Sequence, residues 1–207
     1  MKIRKYPDGV YGIGKFYTFL LDVLVGTVGA LWVKRLAIPK NFPRGNFIVA
    51  SNHQSYLDFA LLLFAFRGEF AVFFINQRSY FSPWFNFALK RLGQIPTVKG
   101  QGIRLAIKAL KGGDNVFIFP EGGLGDGRKL REFKSGVAVL AENFPDIPVF
   151  PVGIAGSSKI WGANQKYPRI FLGRKVGIKI GEPFYFRDFC KKDLFLRELE
   201  NKLVKLL

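Results

Sequence analysis

Sulfur and imidazole are nearly absent from this chain. Cys190 is its single cysteine and His53 its single histidine in 207 residues, which excludes an internal disulfide and any metal cage built from several Cys or His ligands. A lone thiol fits a reducing compartment. Cys190 sits in FRDFCKKDLF with no histidine beside it in sequence, so it reads as a structural or incidental thiol rather than an acyl-carrying nucleophile. Acids are scarce too. Fifteen Asp and Glu stand against 32 Lys and Arg, a formal charge of +17, and so positive a chain points to an anionic partner. Nucleic acid and an anionic bilayer both satisfy that demand. No nucleic-acid motif is visible, however, and 49% of the residues are apolar, with 23 Phe, so charge and grease together favour lipid over nucleic acid. At a bilayer surface each well-placed Lys or Arg contributes about 1 kcal/mol. The same apolar content excludes a disordered chain, and the length suits one catalytic domain plus a terminal element.

A clean membrane span is also missing. Phe16 to Val33 is mostly apolar and has basic residues on both sides, but as a helix it would reach roughly 27 Å against a ~30 Å hydrocarbon core. Asp22 inside it would cost about 2.5–3.5 kcal/mol near the bilayer centre, and Gly26 and Gly29 invite breaks. A pair of interfacial helices anchored by Trp32 and the flanking cations fits better. A secretory signal lacks a small-residue cleavage site before the Lys34-Arg35 pair, and a buried core helix is the plainer alternative. The linker AIPKNFPRG then sets an expected boundary, giving 1–37 as a membrane-associating helical segment and 38–207 as an α/β domain.

Beyond the linker, strand and helix signals alternate. NFIVASN, FAVFFI, QIPTV, NVFIFP and IPVFPVGIAG read as strands, and SYLDFALLLFAF, SPWFNFALKRL, GIRLAIKALKGG and KSGVAVLAENF as helices, the first with Ser55 as a possible cap. RIFLGRKVGIKIGEPF reads as a pair of strands, and DLFLRELENKLVKLL as an amphipathic C-terminal helix. This order predicts an α/β fold with a mostly parallel central sheet flanked by helices and an antiparallel hairpin near the end.

The chemistry concentrates in SNHQSYLDF. His53 and Asp58 are five apart, which on one helix would separate them by about 140° in azimuth. If His53 instead lies in the loop after the strand and Asp58 in the first helical turn, the carboxylate can reach the imidazole and fix its tautomer. Ser55 with Asp58 equally matches an S-x-x-D cap, in which Asp58 only satisfies a backbone donor. Spacing does not separate these two readings. In LGQIPTVKGQGIR, Thr97, Lys99 and Arg104 surround a strand-to-helix turn that could hold an anion or could be an ordinary solvated turn. In FIFPEGGLGDGRKLREFKSG, Glu121 and Gly122 follow a strand and precede a basic cluster that includes Arg128, an arrangement that suits a site as well as a charged loop. Pro148 and Pro151 bracket a further strand.

In four segments the chain resembles the glycerolipid acyltransferases, and among them the bacterial 1-acylglycerol-3-phosphate acyltransferases. Asn52, His53 and Asp58 match N-H-x-x-x-x-D, and Phe119, Pro120, Glu121 and Gly122 match F-P-E-G. Gly93 through Lys99 and Arg104 is similar to the second block, and Pro151 with Val152 to the fourth. Where the family continues F-P-E-G with Thr or Ser and then Arg, this chain has Gly123 and Leu124, and its next Arg is Arg128. The usual acid-Arg pair of block two is Val98 and Lys99 here, an ammonium in place of a guanidinium.

The resemblance implies a direct acyl transfer, without cofactor or metal, from acyl-CoA or acyl carrier protein to the sn-2 hydroxyl of lysophosphatidic acid. His53, oriented by Asp58, would be the general base. Thr97, Lys99, Arg104, Glu121, Gly122 and Arg128 would bind the acceptor, and FAVFF with YFSPWFNF could line an acyl groove. It also implies a peripheral or monotopic position at anionic lipids on the cytoplasmic face of the cell membrane. A different lysolipid acceptor, or a basic membrane-binding protein with no enzymatic activity, are the alternatives.

Overall fold

Ile48, Val49 and Ala50 are consecutive, fully buried residues of one strand that divide between two apolar clusters, Val49 in one and its two neighbours in the other. A strand covered on both faces is written as a continuous apolar run, which is why NFIVASN shows no polar alternation. The computed structural model describes residues 23, 26, 27, 29, 32–39, 45–66, 71–76, 94–97, 101–169 and 176–207, and for 71–76 and 94–97 the backbone alone. Among them, one sheet holds β1 (Val33–Ala37), β2 (Ile48–Ser51), β3 (Ala71–Asn76), β4 (Gln94–Thr97), β5 (Asn115–Ile118), β6 (Val149–Ala155) and β7 (Val176–Ile180). Their spatial order is β1-β7-β6-β2-β5-β3-β4. The five strands from β6 to β4 are parallel, whereas β7 runs antiparallel to β6 and parallel to β1. The fold is thus α/β with a mostly parallel sheet, as its sequence predicts.

The helices are α1 (Asp58–Ala65), α2 (Gly102–Lys111), α3 (Gly136–Asn143), the short α4 (Ser158–Trp161) and α5 (Lys192–Leu206). From β2 the chain crosses through α1, past β5, to β3; from β5 it crosses through α3, past β2, to β6. These two crossovers travel in opposite directions, so right-handedness places their helices on opposite faces. Leu61 and Leu62 of α1 accordingly pack with Val49, Phe117 and Phe150, while Val137 and Leu140 of α3 pack with Ile48, Ala50 and Val116. Between β2 and β5 the outgoing connections part, leaving a crevice at the strands' C-terminal ends of the kind where open α/β sheets bind ligands.

Two expectations change at the amino-terminal side. The expected 37/38 boundary falls after β1, and β1 pairs with β7, so the Pro-containing linker connects two strands of one sheet. Trp32, expected to anchor at lipid headgroups, is 9% exposed and belongs to the cluster under α1; burying an indole there gains more contact than leaving it at a surface. Helical backbone occurs at residues 23, 26, 27, 29 and 32, with the Thr27 hydroxyl donating to the Val23 carbonyl at 2.7 Å. No helix among the described residues is long and apolar enough to cross a membrane. The rest of Phe16–Val33, the expected helix SPWFNFALKRL and most of the RIFLG strand lie outside the described residues. The antiparallel partner of β7 is β6, with α4 in the connection between them.

The C-terminal helix α5 is integral to the sheet's second face, burying Phe195, Leu199 and Leu203 completely. Leu199→Ala should therefore cost about 2–5 kcal/mol in urea unfolding. A loss well under 1 kcal/mol would mean that α5 does not pack there.

Candidate active site

Three loops leave the C-terminal ends of adjacent strands, carrying His53 just past β2, Glu121 just past β5 and Ser157 just past β6. Their side chains and main chains meet. The Nδ1 of His53 lies 3.0 Å from Oδ2 of Asp58, which is wholly buried in the first turn of α1. That oxygen also accepts the main-chain N–H of Gln54 at 2.7 Å and of Ser55 at 2.8 Å. Oδ1 accepts the Ser157 hydroxyl at 2.7 Å. Four donors thus converge on one carboxylate and offset its removal from water.

This arrangement joins two readings that the sequence sets against each other. The Ser55 N–H to Asp58 bond is half of a capping box, yet the same carboxylate oxygen faces the imidazole. The other half is rearranged: the Asp58 N–H donates to the Ser55 carbonyl, and the Ser55 hydroxyl accepts from Leu57 N–H while donating to the Trp161 carbonyl. The loop 52–57 can therefore leave the strand direction and still bring His53 back onto α1.

The imidazole is flanked as well as held. Phe119 stacks on it with ring centroids 4.0 Å apart and planes 14° apart, and its side chain keeps 22% exposure. With Nδ1 facing a carboxylate, the neutral ring carries its proton there and presents Nε2 as an acceptor. Among the described residues nothing bonds to Nε2.

Glu121 holds the main chain of the same histidine. It is 3% exposed, and its two oxygens accept the N–H of His53 at 2.8 Å and of Arg131 at 3.0 Å. The Gly125 N–H donates to the His53 carbonyl at 2.7 Å. A methyl group on Gly125 would stand 3.2 Å from both that carbonyl oxygen and Glu121 Oε2, so a side chain there would push one of them back by a few tenths of an ångström. Gly122 is left-handed at φ +65° and lies under the side chain of Lys134, whose Cδ and Nζ would come within 2.6 Å of any Cβ there. Asn52 ties the loop to β6, its amide pairing with both N–H and C=O of Ile154 at 2.8 Å as a further strand would.

The remaining sequence-predicted residues are spread more widely. Arg104 is exposed in the first turn of α2 and Arg128 is exposed in the loop after β5. The Arg128 N–H donates to Asp126 at 2.9 Å and holds that carboxyl below its usual range. Neither arginine bonds to His53, Asp58 or Glu121 among the described residues. Thr97 ends β4 with its side chain undescribed, and Lys99 lies outside the described residues. Arg131 reaches back instead, its Nη1 donating to the Leu124 carbonyl at 3.4 Å. Ser157 is the residue that the sequence does not flag, because a serine after a strand carries no local sign of a partner 99 positions away.

A family model described as Acyltransferase matches residues 35–155, a span that contains β2 through β6 and these contacts apart from those made by Ser157 and Trp161. The chain belongs to the acyltransferase family. The chain is similar to two chloroplast proteins named 1-acyl-sn-glycerol-3-phosphate acyltransferase. The one from Brassica napus is 27% identical over 164 residues, 76% of this chain and 45% of the relative. The one from Arabidopsis thaliana is 29% identical over 169 residues, 76% of this chain and 44% of the relative. The chain thus spans about half the length of the curated relatives it matches. The crystal structure of the 1-acyl-sn-glycerophosphate acyltransferase PlsC from Thermotoga maritima superimposes with a TM-score of 0.72 at 26% identity, covering 92% of this chain and 80% of that one. As an acyltransferase-family member, the protein carries its N-H-x-x-x-x-D segment from the loop after β2 into the first turn of α1, and its F-P-E-G segment just past β5.

Removing the Glu121 carboxylate leaves the N–H groups of His53 and Arg131 without their acceptor. Glu121→Ala should lower stability by about 1–3 kcal/mol, read from the urea midpoint at unchanged slope. An unshifted midpoint would show that the two loops hold together without it.

Proposed function

We propose that the protein moves a fatty acyl group from an acyl thioester, acyl-CoA or acyl carrier protein, to the sn-2 hydroxyl of lysophosphatidic acid, giving phosphatidic acid. The single observation that carries this reading is an imidazole held through Nδ1 by the buried Asp58, with no described residue bonded to Nε2 and 22% of the His53 side chain exposed. The names borne by the similar proteins supply the acceptor class.

In this reading Nε2 takes the proton of the acceptor hydroxyl as its oxygen attacks the thioester carbonyl. An O–C bond forms, and the carbonyl becomes a tetrahedral oxyanion stabilised by N–H groups or cations nearby. Collapse breaks the C–S bond, and the proton held on His53 passes to the departing thiolate. No acyl-enzyme forms, and the dyad returns to its starting state. Asp58 keeps the ring in the tautomer that accepts at Nε2 and offsets the charge of the transient imidazolium.

The chain's cations supply the acceptor's phosphate site. Arg104 lies in the first turn of α2, Thr97 ends β4 and Lys99 stands between them in sequence, and Gly122 and Arg128 belong to the loop after β5. A +17 chain at an anionic bilayer concentrates next to its lipid substrate, with the residues ahead of Trp32 and β1 contributing the membrane-associating segment on the cytoplasmic face.

The reading is tested by transfer of a labelled acyl group to lysophosphatidic acid in liposomes. His53→Ala should lower the rate roughly 10²–10⁴-fold, the usual contribution of a positioned base, with liposome binding retained. Transfer at the wild-type rate by His53→Ala would remove the base from the mechanism, and liposome binding without transfer by the wild type would make the protein a membrane-binding module.

A further inference from the structure

Ser157 stands at the N-terminal boundary of α4, where a serine hydroxyl ordinarily accepts a hydrogen bond from the first turn of its helix. Here the hydroxyl makes no such cap. The main-chain carbonyl of Ser157 accepts the N–H groups of Ile160 and Trp161 at 2.9 and 3.1 Å, and the hydroxyl donates to Asp58 Oδ1 at 2.7 Å, joining the end of β6 to the start of α1. Both groups are completely buried.

The two oxygens of Asp58 are held unequally. Oδ2 has three donors, the ring of His53 and the N–H groups of Gln54 and Ser55. Oδ1 has one among the described residues, the Ser157 hydroxyl. A carboxylate turns about its last torsion in a broad, roughly two-fold well, so the donor on Oδ1 decides how the lone pairs of Oδ2 meet Nδ1–H. That donor is fixed by the end of β6, and Asn52 ties the histidine loop to Ile154 of the same strand.

We infer that Ser157 is a positioning residue of the acyl-transfer site, the third member of a His53–Asp58–Ser157 chain, setting the orientation of the carboxylate that holds the base. This rests on the reading of His53 as the general base. It assigns a kinetic role to the β6–α4 junction, which lies beyond the segment matched by the family model.

Because His53 is the only histidine, its ring nitrogens give a single pair of signals in protein labelled with imidazole-¹⁵N histidine. The wild type should show Nδ1 protonated and Nε2 bare. Ser157→Ala, checked for folding by circular dichroism, should displace the Nδ1 resonance. It should also lower kcat about tenfold, as expected when a hydrogen bond to a charged group strengthens by about 1.4 kcal/mol as the imidazolium develops, with KM within about twofold. Ser157→Thr, which keeps the hydroxyl, should restore both readouts; should it not fold, Ser157→Cys, a weaker donor, should fall between wild type and Ser157→Ala. Wild-type ring signals and wild-type kcat in folded Ser157→Ala would overturn the inference and leave the role of His53 standing, provided His53→Ala remains inactive. An active His53→Ala would instead overturn both.

Discussion

A fully buried carboxylate must be surrounded by donors, and the requirement of Asp58 for them organises this site. Its four partners come from the His53 ring, the main chain of the same loop, and the end of a strand 99 residues away. An uncompensated carboxylate in an apolar interior costs several kcal/mol, so the loop conformation, the start of α1 and the β6–α4 junction are bound to one another. Aiming the imidazole is then part of satisfying the buried charge. Fold stability and site geometry are the same set of hydrogen bonds.

Topology explains why these parts are near each other at all. β2 lies between β6 and β5, so the loops that follow these three strands open side by side at the same edge of the sheet. Opposed crossovers send α1 to one face and α3 to the other, leaving the edge between β2 and β5 uncovered. Glu121 bridges that opening to the main chain of His53. Its structural tie and its place in F-P-E-G are thereby reconciled, since a residue that fixes the backbone of the proposed base would act on the proposed reaction without touching a substrate.

Much of this was legible from residues alone. The continuous apolar run of NFIVASN and the helix periods beyond it reflect burial on two faces, which is a local property of sequence. The approach of His53 to Asp58 followed from placing the pair at a strand-to-helix junction. Other features depend on partners distant in sequence. The pairing of β1 with β7 and the burial of Trp32 were masked by an apolar, basic-flanked segment that resembles a membrane element equally well. Ser157 and the pairing of Asn52 with Ile154 join residues about 100 positions apart, and nothing periodic announces such a contact. In the basic cluster the sequence named Arg128, while Arg131 is the arginine that folds back on the loop, through its main-chain N–H to Glu121 and its guanidinium to the Leu124 carbonyl.

The central claim is that the Asp58 carboxylate, and no mere polar group of its shape, holds His53 ready to accept a proton. It is tested most directly by comparing kcat for acyl transfer to lysophosphatidic acid between wild type and Asp58→Asn, in protein whose circular dichroism matches the wild type. An amide there can favour the wrong ring tautomer and cannot offset an imidazolium, so kcat should fall nearly as far as in His53→Ala, roughly 10²–10⁴-fold. A folded Asp58→Asn protein that turns over within a few-fold of wild type would contradict the account.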